Sequence, residues 1–100
     1  MIEGPVEVQA HFVFPRPKSH YHSSKKRQGE LRGDAPLWHT SAPDLDKLQR
    51  AIGDALAGVV IRDDAQIARW RVSKSYGQTP RAMITVIPLG TIAALRERAS

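Results

Sequence analysis

The chain contains no cysteine. Disulfides and thiolate-held zinc are therefore excluded, and the composition suits a reducing compartment. Aromatic side chains are few, two each of Phe, Tyr and Trp, so stacking chemistry has few places to reside. No apolar run approaches the ~20 residues that cross a bilayer, and no signal-peptide pattern opens the chain. The expectation is a soluble, cytoplasmic protein with no membrane partner. Acidic residues are also scarce, ten against fifteen Lys plus Arg, for a formal charge of +5. Such an excess of cations points to a polyanionic partner.

One hundred residues make a single domain, 1–100, whose thin core removes roughly 60–68% of the unfolded surface from water. Val6 to Phe14 alternates through Val6, Val8, Ala10, Phe12 and Phe14, the period of a strand with one buried face. Pro15 and Pro17 end it. From Arg16 to Ala42 all periodicity vanishes, and a structureless stretch of that length is usually functional or disordered. It carries Arg16, Lys18, Lys25, Lys26, Arg27 and Arg32 against Glu30 and Asp34, a net +4. With Tyr21 and Trp38 interleaved, this basic loop suits phosphate contact and base stacking. The pair His20 and His22 lacks a third metal ligand nearby in the sequence.

A helix is expected from Asp44, a favoured N-cap preceded by Pro43. Leu45, Leu48, Ala51, Ile52, Ala55 and Leu56 form its apolar stripe, and Gly58 stops it. Val59 to Ile61 then runs briefly extended. A second main strand follows from Gln66 to Tyr76, with Ala68, Trp70 and Val72 inward and Arg69, Arg71 and Ser73 outward. A turn at Gly77-Gln78-Thr79-Pro80 leads to a third strand, Arg81 to Ile87, expected to form an antiparallel hairpin with the second. Gly90 to Arg98 reads as a short terminal helix packing on the edge through Ile92 and Leu95. The expected fold class is α/β (α+β): a mixed, mostly antiparallel sheet of three to four strands, one main helix across it, and the C-terminal helix.

The scarce acids are unevenly placed. Asp44 and Asp46 stand at the start of the helix, and Asp63 and Asp64 lie in the turn beyond it. Crowded carboxylates oppose folding unless something offsets them, and a divalent ion is the usual counterion. Magnesium takes a few carboxylates and fills its octahedron with water and phosphate oxygens. Asp44, Asp46 and Asp64 would supply that set, in a magnesium-dependent nuclease. A bland reading stands beside it: Asp44 as an N-cap only, Asp46 paired with Arg50, and Asp63-Asp64 as a polar turn.

The segment PDLDKLQRAIGDALAGVVIRDDAQIARWRVSKSYG, followed by PRAMITV, resembles the RusA family of crossover junction endodeoxyribonucleases, the Holliday junction resolvases common in phages and prophages. The shared pattern is a K-P-D-x-D-N stretch opening a helix, D-A-L, a short strand, D-D-A-Q, and a strand ending in lysine. VEVQAHFVF followed by PRPKSHY is similar to the actinobacterial and phage branch. The resemblance implies metal-binding, catalytic carboxylates at Asp44, Asp46 and Asp64, with Asp63 as a supporting ligand and Mg2+ (or Mn2+ in its place) as cofactor. It places Arg50 where the family often has a lysine that matters for cleavage. Arginine cannot shed a proton, which suits phosphate or transition-state contact. Asp54, one turn on, would orient Arg50 or form a structural ion pair with it. Lys74 falls on the strand-end lysine, a DNA contact or a plain surface residue. Lys18, Lys25, Lys26, Arg27, Arg32, Arg69 and Arg71 complete the expected DNA-binding set.

Two departures are local: Ala42 replaces the family's lysine, and Lys47 replaces its asparagine, adding a cation that could hold phosphate. A third concerns Met1-Ile2-Glu3-Gly4-Pro5, which resembles the middle of a longer relative with a preceding strand and helix. That suggests a truncated form, and as an alternative function a non-catalytic DNA-binding relative. The main expectation is a resolvase of four-way and related branched DNA in recombination and repair. A junction needs two symmetric nicks, so a twofold homodimer is expected.

Overall fold

The computed structural model describes residues 1–90 and Ile92. Three strands form one mixed sheet: β1 (Val6–Pro15), β2 (Ile67–Gly77) and β3 (Arg81–Pro88). A single α-helix, α1 (Leu45–Leu56), separates β1 from β2. Strand order is β2-β1-β3, with β1 parallel to β2 and antiparallel to β3. The expected hairpin between the second and third strands is therefore not formed. β1 has the most apolar alternation and occupies the centre, where both edges and the inner face are covered. The link at 78–80 spans the end of β1 and delivers β3 to its far side. That crossing is tight: a Cβ on Gly77 would meet Val13 Cγ1 at 2.6 Å, so no larger residue fits there without a shift.

The core lies between the inner face of the sheet and α1. Val6, Val8, Ala10, Ile52 and Ile61 are buried together, with Leu56, Trp70, Val72 and Val86 packed around them. Each fully buried aliphatic side chain contributes about 1.5–3 kcal/mol. The helical stripe is narrower than expected, because Ala51 and Ala55 are exposed while Gly53 is buried. Ala68 is exposed too. A register irregularity between Val6 and Glu7 pairs them with Ile67 and Arg69, leaving Ala68 as the extra residue. The anticipated extended run at 59–61 is instead the wrap-up of α1. The amides of Val59, Val60 and Ile61 all return to the Leu56 carbonyl, and Gly58 takes a φ of +82° that suits glycine.

The basic loop folds back on itself rather than wandering. His22 N–H donates to Glu30 O at 2.9 Å and Arg32 N–H to His20 O at 2.9 Å, making an arm whose tip carries Lys25, Lys26 and Arg27. The expected C-terminal helix lies outside the described residues apart from Gly90 and the helical Ile92. No helix among the described residues is long and apolar enough to cross a membrane.

Candidate active site

Asp64 opens the 3-10 turn Asp64–Gln66 that carries the chain from α1 into β2. The turn is braced by a capping box. Asp63 Oδ1 accepts from Ala65 N–H at 2.9 Å, and Gln66 Oε1 accepts from Asp63 N–H at 3.1 Å. Gln66 also reaches across the fold, donating to the carbonyls of Ile2 (3.0 Å) and Gly4 (2.8 Å). The D-x-x-Q spacing is a readable cap signal, yet Gln66 was absent from the residues expected to matter.

The braced turn sets Asp64 against the buried Gly53 of α1, where an added Cβ would stand 3.5 Å from Asp64 Cβ. Beside this contact is a hollow of about 290 Å³ lined by Gln49, Arg50, Gly53, Asp64 and Trp70. Trp70 packs one part of its ring against the core and offers the rest to the hollow. Arg50 thus shares a concavity with Asp64. Asp46 and Asp54 flank Arg50 at helical spacing, four residues either way, and so occupy the same side of α1.

Asp64 titrates above the ordinary carboxylate range. A hydrogen bond with the Asp63 carboxyl is the main cause, followed by burial and the charges of Asp63 and Asp54. Asp63 moves the other way, held low by the Ala65 amide and by Asp64. Their contact thus pushes the two carboxyls in opposite directions, Asp64 up and Asp63 down.

Asp44 is the N-cap of α1, but its side chain makes no capping hydrogen bond. The cap-only reading of this residue therefore fails. Neither the Asp46–Arg50 nor the Arg50–Asp54 ion pair forms; among the described residues, Asp44, Asp46, Asp54, Asp63 and Asp64 have no cationic partner within ion-pair distance. Asp54 acts instead on Asp64, through its charge.

The three carboxylates expected to share one ion are not all brought together. Asp64 sits over Gly53, while Asp44 and Asp46 lie two turns earlier, about 10–13 Å along the axis at 1.5 Å per residue. Among the described residues, no three acidic or histidine side chains stand close enough to hold a metal. The donor chemistry nevertheless fits magnesium or manganese. All candidates are hard oxygens that form no ion pair among the described residues, and these ions take one or two carboxylates and complete their shell with water and phosphate.

The expected DNA-binding residues divide. Lys18, Lys25, Lys26, Arg27, Arg32 and Lys47 are exposed. Arg27 pairs with Glu30 and Arg32 with Asp34. Arg69 and Arg71 project from the open face of the sheet and share Glu7, which is 4% exposed and held below its usual range chiefly by the Arg69 hydrogen bond. Lys74 donates to the carbonyls of Ser41 (2.6 Å) and Pro43 (2.8 Å). His39 is buried, stacks on Phe14 with centroids 4.2 Å apart, and titrates low because of burial and then the Lys74 charge.

Two comparisons with known proteins find relatives. The sequence profile described as Endodeoxyribonuclease RusA matches residues 1–87. An uncharacterized Bacillus subtilis (strain 168) protein, YqaN, is 34% identical over 86 residues, covering 86% of this chain. The chain spans 59% of the length of that relative. No solved structure matches. The profile match takes in β1, α1, the Asp64 turn, β2 and all of β3 but its last residue, and the chain therefore belongs to the RusA endodeoxyribonuclease family.

Proposed function

We propose that this chain hydrolyses phosphodiesters in branched DNA, four-way junctions foremost, with magnesium, or manganese in its place, held at Asp64 and the acidic residues of α1. One observation carries this reading. Glu3, Glu7, Glu30 and Asp34 are each paired with an arginine, whereas Asp44, Asp46, Asp54, Asp63 and Asp64 have no such partner among the described residues. In a chain of formal charge +5, carboxylates without cations mark a place kept for one.

When bound, the ion would supply charge neutralisation for the developing phosphorane oxygens and lower the pKa of a water. The residues of the chain would do the rest. Arg50 binds a phosphate oxygen in the hollow from the side facing Asp64. Asp63, fixed by the Ala65 amide, orients Asp64. Trp70 closes the floor of the hollow against bulk water. Lys25, Lys26 and Arg27 at the arm tip, with Lys18 and Lys47, hold the backbone through charge, an attraction that weakens steeply with salt. Two symmetric nicks call for two copies of the site, so the working unit is a twofold homodimer in the cytoplasm, acting on recombination intermediates.

The test is a labelled four-way junction incubated with purified protein, with and without magnesium. Paired nicks that require magnesium are expected. Firm binding without nicks at any divalent concentration, or equal cleavage of linear duplex, would overturn the proposal.

A further inference from the structure

We infer that Lys74 is a positioning residue that fixes Asp44, rather than a DNA contact; as a statement about cleavage this rests on the function proposed above. Lys74 lies on β2, opposite Phe12 of β1 and two residues from Val72 and Tyr76, so its side chain leaves the sheet on the face that carries α1. There its ammonium donates to Ser41 O and Pro43 O. Pro43 directly precedes Asp44, the residue that opens α1.

The approach to that clamp is itself anchored. Residues 37–39 run antiparallel along the outer edge of β2: Tyr76 N–H donates to Leu37 O at 2.9 Å, and His39 N–H to Lys74 O at 3.2 Å. The imidazole of His39 is wedged against Phe14 and Tyr76, with centroids 4.2 and 4.9 Å away. The segment is thus tied to β2 at residue 39 by packing and at residues 41 and 43 by one ammonium. Asp44 needs this restraint because its own side chain makes no capping bond. Its carboxylate is aimed only by the path of the backbone, and Lys74 sets that path. A lysine suits the task, since a compact ammonium with three donors can serve two carbonyls at once. An ammonium so occupied has little left for phosphate.

Two readings of Lys74→Met separate the roles. As a positioning residue, its loss slows junction cleavage about 100-fold, the scale expected from a displacement near 1 Å. Junction affinity and its salt dependence stay unchanged, and amide exchange quickens across residues 44–48 while Val8 to Phe12 keep their protection. A phosphate-binding lysine would instead weaken binding and flatten the log–log salt slope by about 0.9 when removed; that result, or unchanged exchange at 44–48, overturns the inference. The exchange measurement needs no cleavage, so it still decides the matter if the wild-type protein fails to nick. Should Lys74→Met not fold, the Lys74 ammonium resonance of the unsubstituted protein gives the answer. It stays in place when junction is added if the clamp holds, and shifts strongly if it meets phosphate.

Discussion

The acids among the described residues fall into two regions with opposite treatment. Outside residues 44–64, Glu3, Glu7, Glu30 and Asp34 each sit beside an arginine, and the Glu7 and Asp34 carboxyls are held low by it. Inside that stretch, five carboxylates have no cation within ion-pair distance among the described residues, and Asp64 is pushed up by its own kind. Cations are plentiful, so their absence is not a matter of supply. Arg50 even stands in the hollow with Asp64 without pairing with it. The first group is structural charge, neutralised on the spot; the second, on the proposed function, is charge left for a divalent ion.

The sharpest way to break this contrast is to neutralise one member of the second group. Asp64→Asn should slow junction nicking by on the order of 10³-fold or more while binding is kept or improved, because a negative charge next to phosphate is gone. Gel assays of both activities on the same preparation check this. Next in size is the arm. Replacing Lys25, Lys26 and Arg27 together with Gln should weaken binding evenly across junction sequences. It should also flatten the salt slope by up to about 0.9 for each phosphate no longer neutralised, read by affinity titration in increasing salt.

Glu7→Gln probes the first group. The substitution leaves Arg69 and Arg71 without their carboxylate, so Tm should fall at neutral pH while low-salt DNA affinity rises. The sign of its pH dependence follows from the lowered Glu7 value. Its stabilisation is present above the unfolded pKa of 4.5 and is lost as pH falls through the folded one. Asp64 runs the opposite way. With a raised folded value, its contribution is present below the unfolded pKa of 3.8 and is lost as pH rises through the folded pKa. Asp64→Asn should therefore match or exceed the parent Tm at pH 7, with the margin shrinking toward pH 4. The smallest effect is expected for Gly53→Ala, whose Cβ would make only ordinary contact with Asp64. Stability should rise by the ~0.5–1 kcal/mol that alanine gains over glycine in a helix, read as a slightly higher Tm.

Much of this was readable from residue order. The alternation of Val6 to Phe12 marked a buried strand, and Asp44 and Gly58 marked the ends of the helix, because strand faces and caps are local properties. The pairing of β3 with β1 was not legible. A short Gly-Pro turn is compatible with either a hairpin or a step across a neighbour, and only the competition for the central position decides it. Ala51 and Ala55 misled because alanine tolerates either environment. For the site, clustering of acids around one helix was visible, but the seat of Asp64 over Gly53 was not. It depends on a buried glycine and on Gln66 bonding to Ile2 and Gly4, partners far away in sequence. The two-turn gap between Asp44 or Asp46 and Asp64 follows from that seat.

On the proposed function, the unpaired carboxylates receive a divalent cation. Titrating manganese into isotope-labelled protein and following paramagnetic broadening of each amide tests it without relying on cleavage. Signals at Asp64, Gly53 and the first turn of α1 should be lost early, with those of Glu3, Glu30 and Asp34 surviving. Broadening that begins at the arginine-paired acids, or spreads evenly over the chain, would contradict it.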